Sequence, residues 1–177
     1  VMRGLDGGVK LLSNINMGLA ALLLLFVMIA GPTLLIFTSM GQTAVDYVAN
    51  IIPLSNWIGR EDQGFLHDWT VFYWAWWISW SPFVGMFIAR VSRGRTVREF
   101  LTAVLLVPTL VTVVWMATFG GSGLHQTING IGELANGVGD SSLSLFQMLA
   151  ELPLTAITSF LAIVLVLVFF ITSSDSG

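Results

Sequence analysis

Residues 69–89 read WTVFYWAWWISWSPFVGMFIA and carry no charge between Asp68 and Arg90. The hydrocarbon core of a bilayer is about 30 Å thick, and a helix needs about 20 apolar residues to cross it. The stretch has that length, and five of the seven tryptophans of the chain lie within it. The sequence therefore predicts a membrane-spanning helix with an unusual concentration of aromatic rings.

The composition of the whole chain fits a membrane protein. Of its 177 residues, 55% are hydrophobic and 10% are charged, whereas soluble domains carry about 25% charged residues. So few charges do not cover a water-exposed surface, which excludes a soluble enzyme and intrinsic disorder. The net charge of −3 gives no general attraction to nucleic acid. The absence of cysteine excludes disulfides and thiolate metal sites.

Four stretches are long and apolar enough to cross the membrane. We predict an all-α integral membrane fold with spans at about residues 17–37, 69–89, 100–119 and 154–172. Pro32, Pro82 and Pro108 lie inside three of these spans, and neighbouring groups in membrane helices satisfy the carbonyls that proline frees. The chain, 1–177, is interpreted as a single membrane domain, and its abrupt ends predict an internal piece of a longer protein.

Basic residues predict the orientation of the spans. Arg3 and Lys10 precede the first span, and four arginines lie in the loop 90–99 between the second and third spans. Cytoplasmic loops are enriched in Lys and Arg. We therefore expect the loop 90–99 in the cytoplasm and the loops 38–68 and 120–153 outside.

Short interfacial helices are expected in the two external loops. Apolar side chains recur with helical spacing over residues 45–52. Ser141 or Ser142 is expected to cap a second short helix over about residues 145–149. The glycine-rich stretch 120–139 is interpreted as a flexible loop.

One face of the aromatic segment is lined by large rings. At the helical rotation per residue, Trp69, Tyr73, Trp76, Trp77 and Trp80 share an arc about 100° wide. An interfacial aromatic belt explains Trp69 and Tyr73. The other three lie roughly 10–17 Å further along the helix, toward the bilayer centre. Stacked indole faces bind quaternary ammonium groups, which have no N–H donor. The residues alone leave a cation cage and simple helix packing as open alternatives.

Pro82 follows this face directly. Because proline has no N–H and its ring clashes with the carbonyl four residues earlier, the helix is expected to kink or loosen near Ile78. Freed carbonyls at membrane depth are tolerated where they line a cavity. Transporters place their substrates beside such interrupted helices.

These residues resemble a known family. The run from Trp74 to Arg90, followed by SRGRTVREF at 92–100, closely resembles the signature of the betaine/carnitine/choline transporter (BCCT) family. Leu12-Ser13-Asn14 and the closing residues 169–173 are similar to that family as well, so the resemblance covers nearly the whole chain. It implies a LeuT-type fold of two inverted five-helix repeats, of which these spans are the seventh to the tenth of twelve.

The resemblance also implies a substrate site. It assigns Trp76, Trp77 and Trp80 to an aromatic cage around a trimethylammonium group. Phe72 is then a neighbouring gate or cage residue. The remaining aromatics of the cage belong to a helix that this chain lacks.

The resemblance further implies possible sodium sites. In sodium-coupled members, the residues matching Phe169, Thr172 and Ser173 contribute to one Na+ site, and the match of Phe83 contributes to another. On the residues alone, hydroxyls at such positions commonly bond the carbonyl four residues earlier in their own helix. Some members use protons or exchange substrates, so the coupling ion stays open. A homotrimer is a further implication of the family.

We therefore expect secondary active transport of quaternary ammonium compounds, such as glycine betaine, choline or carnitine, across the cell inner (plasma) membrane. The alternative is a structural or channel-type membrane subunit whose aromatic helix serves packing only. A membrane enzyme is disfavoured because the four predicted spans contain no charged residue and no histidine.

Overall fold

The fold consists of helices. The computed structural model describes residues 5–56, 58–59, 61, 64 and 66–176, without the side chains of 5–7, 9, 91 and 173–176. Within these ranges there is no β-strand, and the all-helical class that the sequence predicts is confirmed. The α-helices are α1 (Leu5–Ala30), α2 (Thr33–Ser55), α3 (Phe72–Val91), α4 (Val97–Trp115), α5 (Gly121–Asn129), α6 (Ser144–Ala150) and α7 (Thr155–Ser176).

Two π-helical segments extend these helices. Leu66–Val71 leads directly into α3, and Met116–Gly120 joins α4 to α5. The second junction makes one helical run of 33 residues, Val97–Asn129. A 3₁₀ turn, Glu133–Asn136, precedes α6.

Among the described residues, three helical runs are long and apolar enough to cross a membrane, namely Lys10–Ala30, Val97–Asn129 and Thr155–Thr172. Helix α3 is not one of them, because its indole, phenol and hydroxyl groups lower its hydropathy although the rings are large and amphipathic. Membrane crossing by α3 stays a prediction.

The first predicted span, 17–37, is not one continuous helix. Helix α1 ends at Ala30, and α2 begins at Thr33. Pro32 has no N–H to donate to the carbonyl of Met28, and the hydroxyl of Thr33 donates to that oxygen at 2.8 Å. The helix is therefore interrupted at the proline without leaving this carbonyl unbonded.

Gly31 lies at this break and is closely surrounded. A Cβ atom added there would lie 2.6 Å from the carbonyl oxygen of Val27 and 3.3 Å from Oγ of Ser122. Only a residue without a side chain fits at this position without a shift of the backbone.

Gly31→Ala is expected to lower the free energy of unfolding of the full-length protein by about 1–3 kcal/mol, because the methyl group overpacks the break. Gly18→Ala is the matched control, since a Cβ there has nothing within 4 Å. Alanine is the better helix former, so the control is expected to be neutral or slightly stabilising. Thermal unfolding in detergent measures both, and equal midpoints for the two variants would contradict the prediction.

The predicted external loops contain more helix than expected. The short helix predicted over 45–52 is part of α2, which continues to Ser55. The glycine-rich stretch predicted as a flexible loop is helical up to Asn129. Residues 120–129 have low helix propensity, but in apolar surroundings the backbone must bond within itself, which favours a continued helix.

The predicted cap at Ser141 or Ser142 is wrong. Helix α6 begins at Ser144, and its N-cap residue Leu143 makes no side-chain capping bond. Asp140 instead accepts a hydrogen bond from the backbone N–H of Ser142 at 2.8 Å. Hydrogen bonds from Ser142 favour the ionised carboxylate and so lower the pKa of Asp140. The aspartate therefore organises the turn that precedes the helix.

The chain divides into two compact units. The first comprises Val1–Gly41 and Val111–Gly177, and the second comprises Gln42–Leu110. In the first unit, α1 packs against α7, and α6 packs against α7 and the 3₁₀ turn. Its core consists of Leu23, Val27, Leu134, Met148, Leu149, Ala162 and Leu165.

The second unit is different. None of the described residues within Gln42–Leu110 is buried. Helix α3 and most of α4 therefore expose their apolar side chains on all sides, which in a membrane protein is possible against lipid or against further helices.

Candidate functional site

An aromatic ladder runs along one face of the second unit. We use this name for Trp69, Tyr73, Trp76 and Trp80, which are spaced three or four residues apart. Successive ring centroids lie 6.3, 5.9 and 6.1 Å apart. Residues at this spacing are neighbours on a helix surface, so the π-helical turn before α3 does not interrupt the row of rings.

Two further rings flank the ladder at Trp76. Phe72 stacks on Trp76 with centroids 6.5 Å apart, and Trp77 lies 6.2 Å from it in a tilted arrangement. Trp76 thus contacts Phe72, Tyr73, Trp77 and Trp80. The three tryptophans and the phenylalanine that the sequence analysis assigns to a substrate site form one contiguous group.

The rings are in contact with one another but exposed on their outer faces. Centroids about 6 Å apart indicate direct ring contact, so no cation fits between neighbours on this helix. Trp76, Trp77 and Trp80 remain 44%, 57% and 43% exposed. A cation within about 6 Å of these outer faces is attracted to them. A closed cage therefore needs rings from a second element opposite α3.

Trp74 behaves differently from the other tryptophans of α3. It is 68% exposed, and among the described residues it has no ring contact. It lies on a different face of the helix, as the sequence spacing predicts.

Helix α3 runs without interruption from Phe72 to Val91 through Pro82, so the helix does not end near Ile78. The carbonyl of Ile78, which Pro82 leaves without a backbone donor, accepts a hydrogen bond from the hydroxyl of Ser81 at 2.8 Å. The side chain of Ser81 thus takes the place of the missing backbone donor, and a kink at Pro82 stays a prediction.

The proposed sodium residues lie on two helices. Phe83 is on α3, one turn after Ser79, and is 54% exposed. Phe169 and Thr172 lie close together near the end of α7. The side chain of Ser173 is outside the described residues.

Thr172 makes the contacts that a structural role predicts. Its hydroxyl donates to the carbonyl oxygens of Val168 at 2.9 Å and Phe169 at 3.0 Å. A hydroxyl has acceptor lone pairs in addition to its proton, so these hydrogen bonds are compatible with a structural role and with a role as a sodium ligand. The structure therefore leaves the sodium assignment as a prediction.

An apolar cleft in the first unit was missed by sequence reasoning. It has a volume of about 370 Å³, and Asn16, Trp115, Phe119, Leu165 and Phe169 are among the residues that line it. The Oδ1 atom of Asn16 is buried and has no hydrogen-bond partner within the described chain. The signal available in the sequence was the pair of amides, Asn14 and Asn16, directly before the first predicted span.

A second missed feature stabilises the start of α4. The backbone N–H and the hydroxyl of Thr96 both donate to Oε2 of Glu99, at 3.0 and 2.9 Å. The N–H of Glu99 in turn donates to Oγ1 of Thr96 at 3.3 Å. This reciprocal pair is a capping box, and its T-x-x-E signature is visible in the sequence.

These features define the class of the molecule, which is an all-helical membrane protein with a row of exposed indole rings on one helix. The family model that matches residues 1–177 is that of the BCCT, betaine/carnitine/choline family transporters. The chain belongs to this family. Its members are transporters and not enzymes.

Curated relatives are similar over the whole chain. Glycine betaine transporter 1 of Vibrio parahaemolyticus is 64% identical over 100% of this chain and 34% of its own length. A glycine betaine/proline/choline/ectoine transporter of the same organism is 62% identical over 100% of this chain and 32% of its length. The glycine betaine transporter OpuD of Bacillus subtilis is 48% identical over 98% and 34%. The chain thus spans about a third of the length of these relatives.

Proposed function

We propose that the full-length protein is a secondary active transporter of quaternary ammonium compounds, such as glycine betaine, choline or carnitine. The observation that carries the proposal is the contiguous group of Phe72, Trp76, Trp77 and Trp80, with ring faces exposed on one helix. The relatives named as betaine and choline transporters support the same substrate class.

The chemistry of the substrate explains why indoles serve here. A trimethylammonium group carries a positive charge but no N–H, so carboxylates and carbonyls cannot bind it through hydrogen bonds to nitrogen. Aromatic faces attract such a cation by about 0.5–2 kcal/mol per contact. We place the cationic head over the outer faces of Trp76, Trp77 and Trp80, with Phe72 as a gate residue beside them.

The wider architecture is part of the proposal. In this view the chain supplies spans seven to ten of a LeuT-type inverted-repeat fold in the cell inner membrane, and the transporter is a homotrimer. A second aromatic helix elsewhere in the protein closes the cage. Alternating access then moves the bound substrate between the two sides of the membrane.

We also propose coupling to sodium, with Phe169, Thr172 and Ser173 in one site and Phe83 in another. Hydroxyl and carbonyl oxygens suit a small hard cation. Sodium that binds one conformation more tightly than the other shifts the population toward it. Proton coupling and substrate exchange are the competing mechanisms.

Uptake into proteoliposomes that contain the full-length protein tests the proposed function. We expect saturable uptake of labelled glycine betaine, choline or carnitine under an inward sodium gradient, and its loss when an ionophore collapses the gradient. Protein-free liposomes are the control. Uptake driven by a proton gradient alone would indicate proton coupling in place of sodium coupling. Uptake only into substrate-loaded vesicles would indicate substrate exchange. Absence of saturable uptake in all three conditions would refute the transport proposal.

A further inference from the structure

Pro82 removes a backbone hydrogen bond from the middle of α3. Its nitrogen has no hydrogen, so the carbonyl oxygen of Ile78 has no regular helical donor. In a predicted membrane span no water replaces that donor, and an unsatisfied carbonyl there is costly. The oxygen is nevertheless bonded, because the hydroxyl of Ser81 donates to it at 2.8 Å.

The neighbouring serine makes a similar bond without this need. The hydroxyl of Ser79 donates to the carbonyl oxygen of Trp76 at 2.8 Å. The regular donor to that oxygen is the N–H of Trp80, which is not a proline. The bond from Ser79 is therefore redundant, whereas the bond from Ser81 is the replacement for a missing one.

The chain uses the same arrangement at a second proline. The hydroxyl of Thr33 donates at 2.8 Å to the carbonyl oxygen of Met28, to which Pro32 has no N–H to donate. There the helix ends, with α1 stopping at Ala30 and α2 starting at Thr33. At Pro82 the helix continues, so here the same kind of bond lies inside an uninterrupted helix.

The position of this turn connects it to the aromatic rings. Ile78 lies between Trp77 and Trp80 in the sequence, and the turn from Ile78 to Pro82 lies just where the ring group ends. We propose that Ser81 is a positioning residue, whose bond to Ile78 holds the indoles of Trp77 and Trp80 in register for the ammonium head. The inference rests on the proposed function and adds to it a residue that does not touch the substrate.

The test compares uptake by Ser81→Ala and Ser79→Ala in the full-length transporter. We expect Ser81→Ala to raise the KM for glycine betaine roughly tenfold, because a carbonyl without a partner inside a membrane span loosens the turn that holds the two indoles. The maximal rate per folded molecule is expected to change little. Ser79→Ala is expected to keep the wild-type KM because the carbonyl of Trp76 retains its backbone donor.

Two further variants exclude a general loss of structure. Ser81→Thr is expected to restore the KM, since threonine makes the same kind of bond in this chain, as Thr38 does to the carbonyl of Leu35 at 3.1 Å. Pro82→Ala returns a backbone N–H to Ile78. In that background Ser81→Ala is expected to have no effect on KM. An equal rise of KM in both backgrounds, or an equal effect of Ser79→Ala, would overturn the proposal.

A measurement independent of uptake separates this inference from the proposed function. Amide hydrogen exchange across residues 76–86 is expected to be faster in Ser81→Ala than in wild type, and unchanged in Ser79→Ala. Unchanged exchange in Ser81→Ala overturns the positioning role whatever the uptake shows. If exchange responds as expected while the wild type transports no ammonium compound, Ser81 still holds the helix, but its role in substrate binding falls with the proposed function.

Discussion

Trp77→Ala is expected to raise the KM for glycine betaine in the full-length transporter by about tenfold to thirtyfold, which corresponds to the loss of one strong cation–π contact. Trp77 is 57% exposed, and its ring contacts the ring of Trp76. Its removal therefore leaves the aromatic ladder in place. Trp76→Ala is less informative because Trp76 contacts four other rings, so binding and packing would change together.

Trp74→Ala is the matched control for this prediction. Trp74 is the same residue type on the same helix, but it has no ring contact among the described residues and lies on another face. Its removal is expected to leave the KM unchanged at similar expression. Trp77→Phe retains an aromatic face and is expected to fall between the two alanine variants. The same KM for Trp77→Ala and Trp74→Ala would favour the structural or channel-type alternative over the cage.

Thr172→Val is expected to raise the sodium concentration for half-maximal uptake by about tenfold, since under the proposed coupling it replaces a hard oxygen ligand with a methyl group of similar size. Thr172→Ser keeps the hydroxyl and is expected to stay near the wild-type value. The structural alternative predicts a different outcome. If Thr172 has only a structural role, the loss of its bond to Val168 costs about 1 kcal/mol of stability and leaves the sodium dependence of uptake unchanged.

Thr158→Val separates these two outcomes. Thr158 lies on the same helix, is 4% exposed, and its hydroxyl donates to the carbonyl oxygens of Leu154 at 3.3 Å and Thr155 at 3.2 Å. It makes the same kind of bond but lies several turns before Phe169 and Thr172 on that helix. Its substitution is expected to change thermal stability alone. Uptake that is independent of sodium in the wild type would refute the sodium assignment of Thr172 altogether.

The helical class was predictable because long uncharged runs have few other solutions in a membrane. The boundaries were less so. A hydropathy pattern extends the first span through Pro32, whereas the hydroxyl of Thr33 satisfies the freed carbonyl and allows the helix to end at Ala30. The glycines after Phe119 suggested a loop, although the backbone there continues as helix to Asn129.

In the candidate site, features that depend on spacing along one helix were predictable, whereas features formed by residues distant in sequence were not. The shared face of Trp76 and Trp80 follows from helical spacing alone, and the structure places their centroids 6.1 Å apart. The bond of Ser81 to Ile78 was also available locally, but the proline suggested a kink instead. The cleft beside Asn16 joins residues more than 100 positions apart in sequence, and no local pattern predicts it.

Among the described residues of Gln42–Leu110 no side chain is buried, and this has a consequence for biogenesis. A helix in lipid satisfies its own backbone, so it is able to insert and persist before its neighbours arrive. In the proposed transporter the aromatic helix is then complete as a secondary structure on its own, but the proposed binding site forms only when a second aromatic helix docks against it. Under this proposal, recognition of the substrate depends on the docking of helices and not on the insertion of this helix alone.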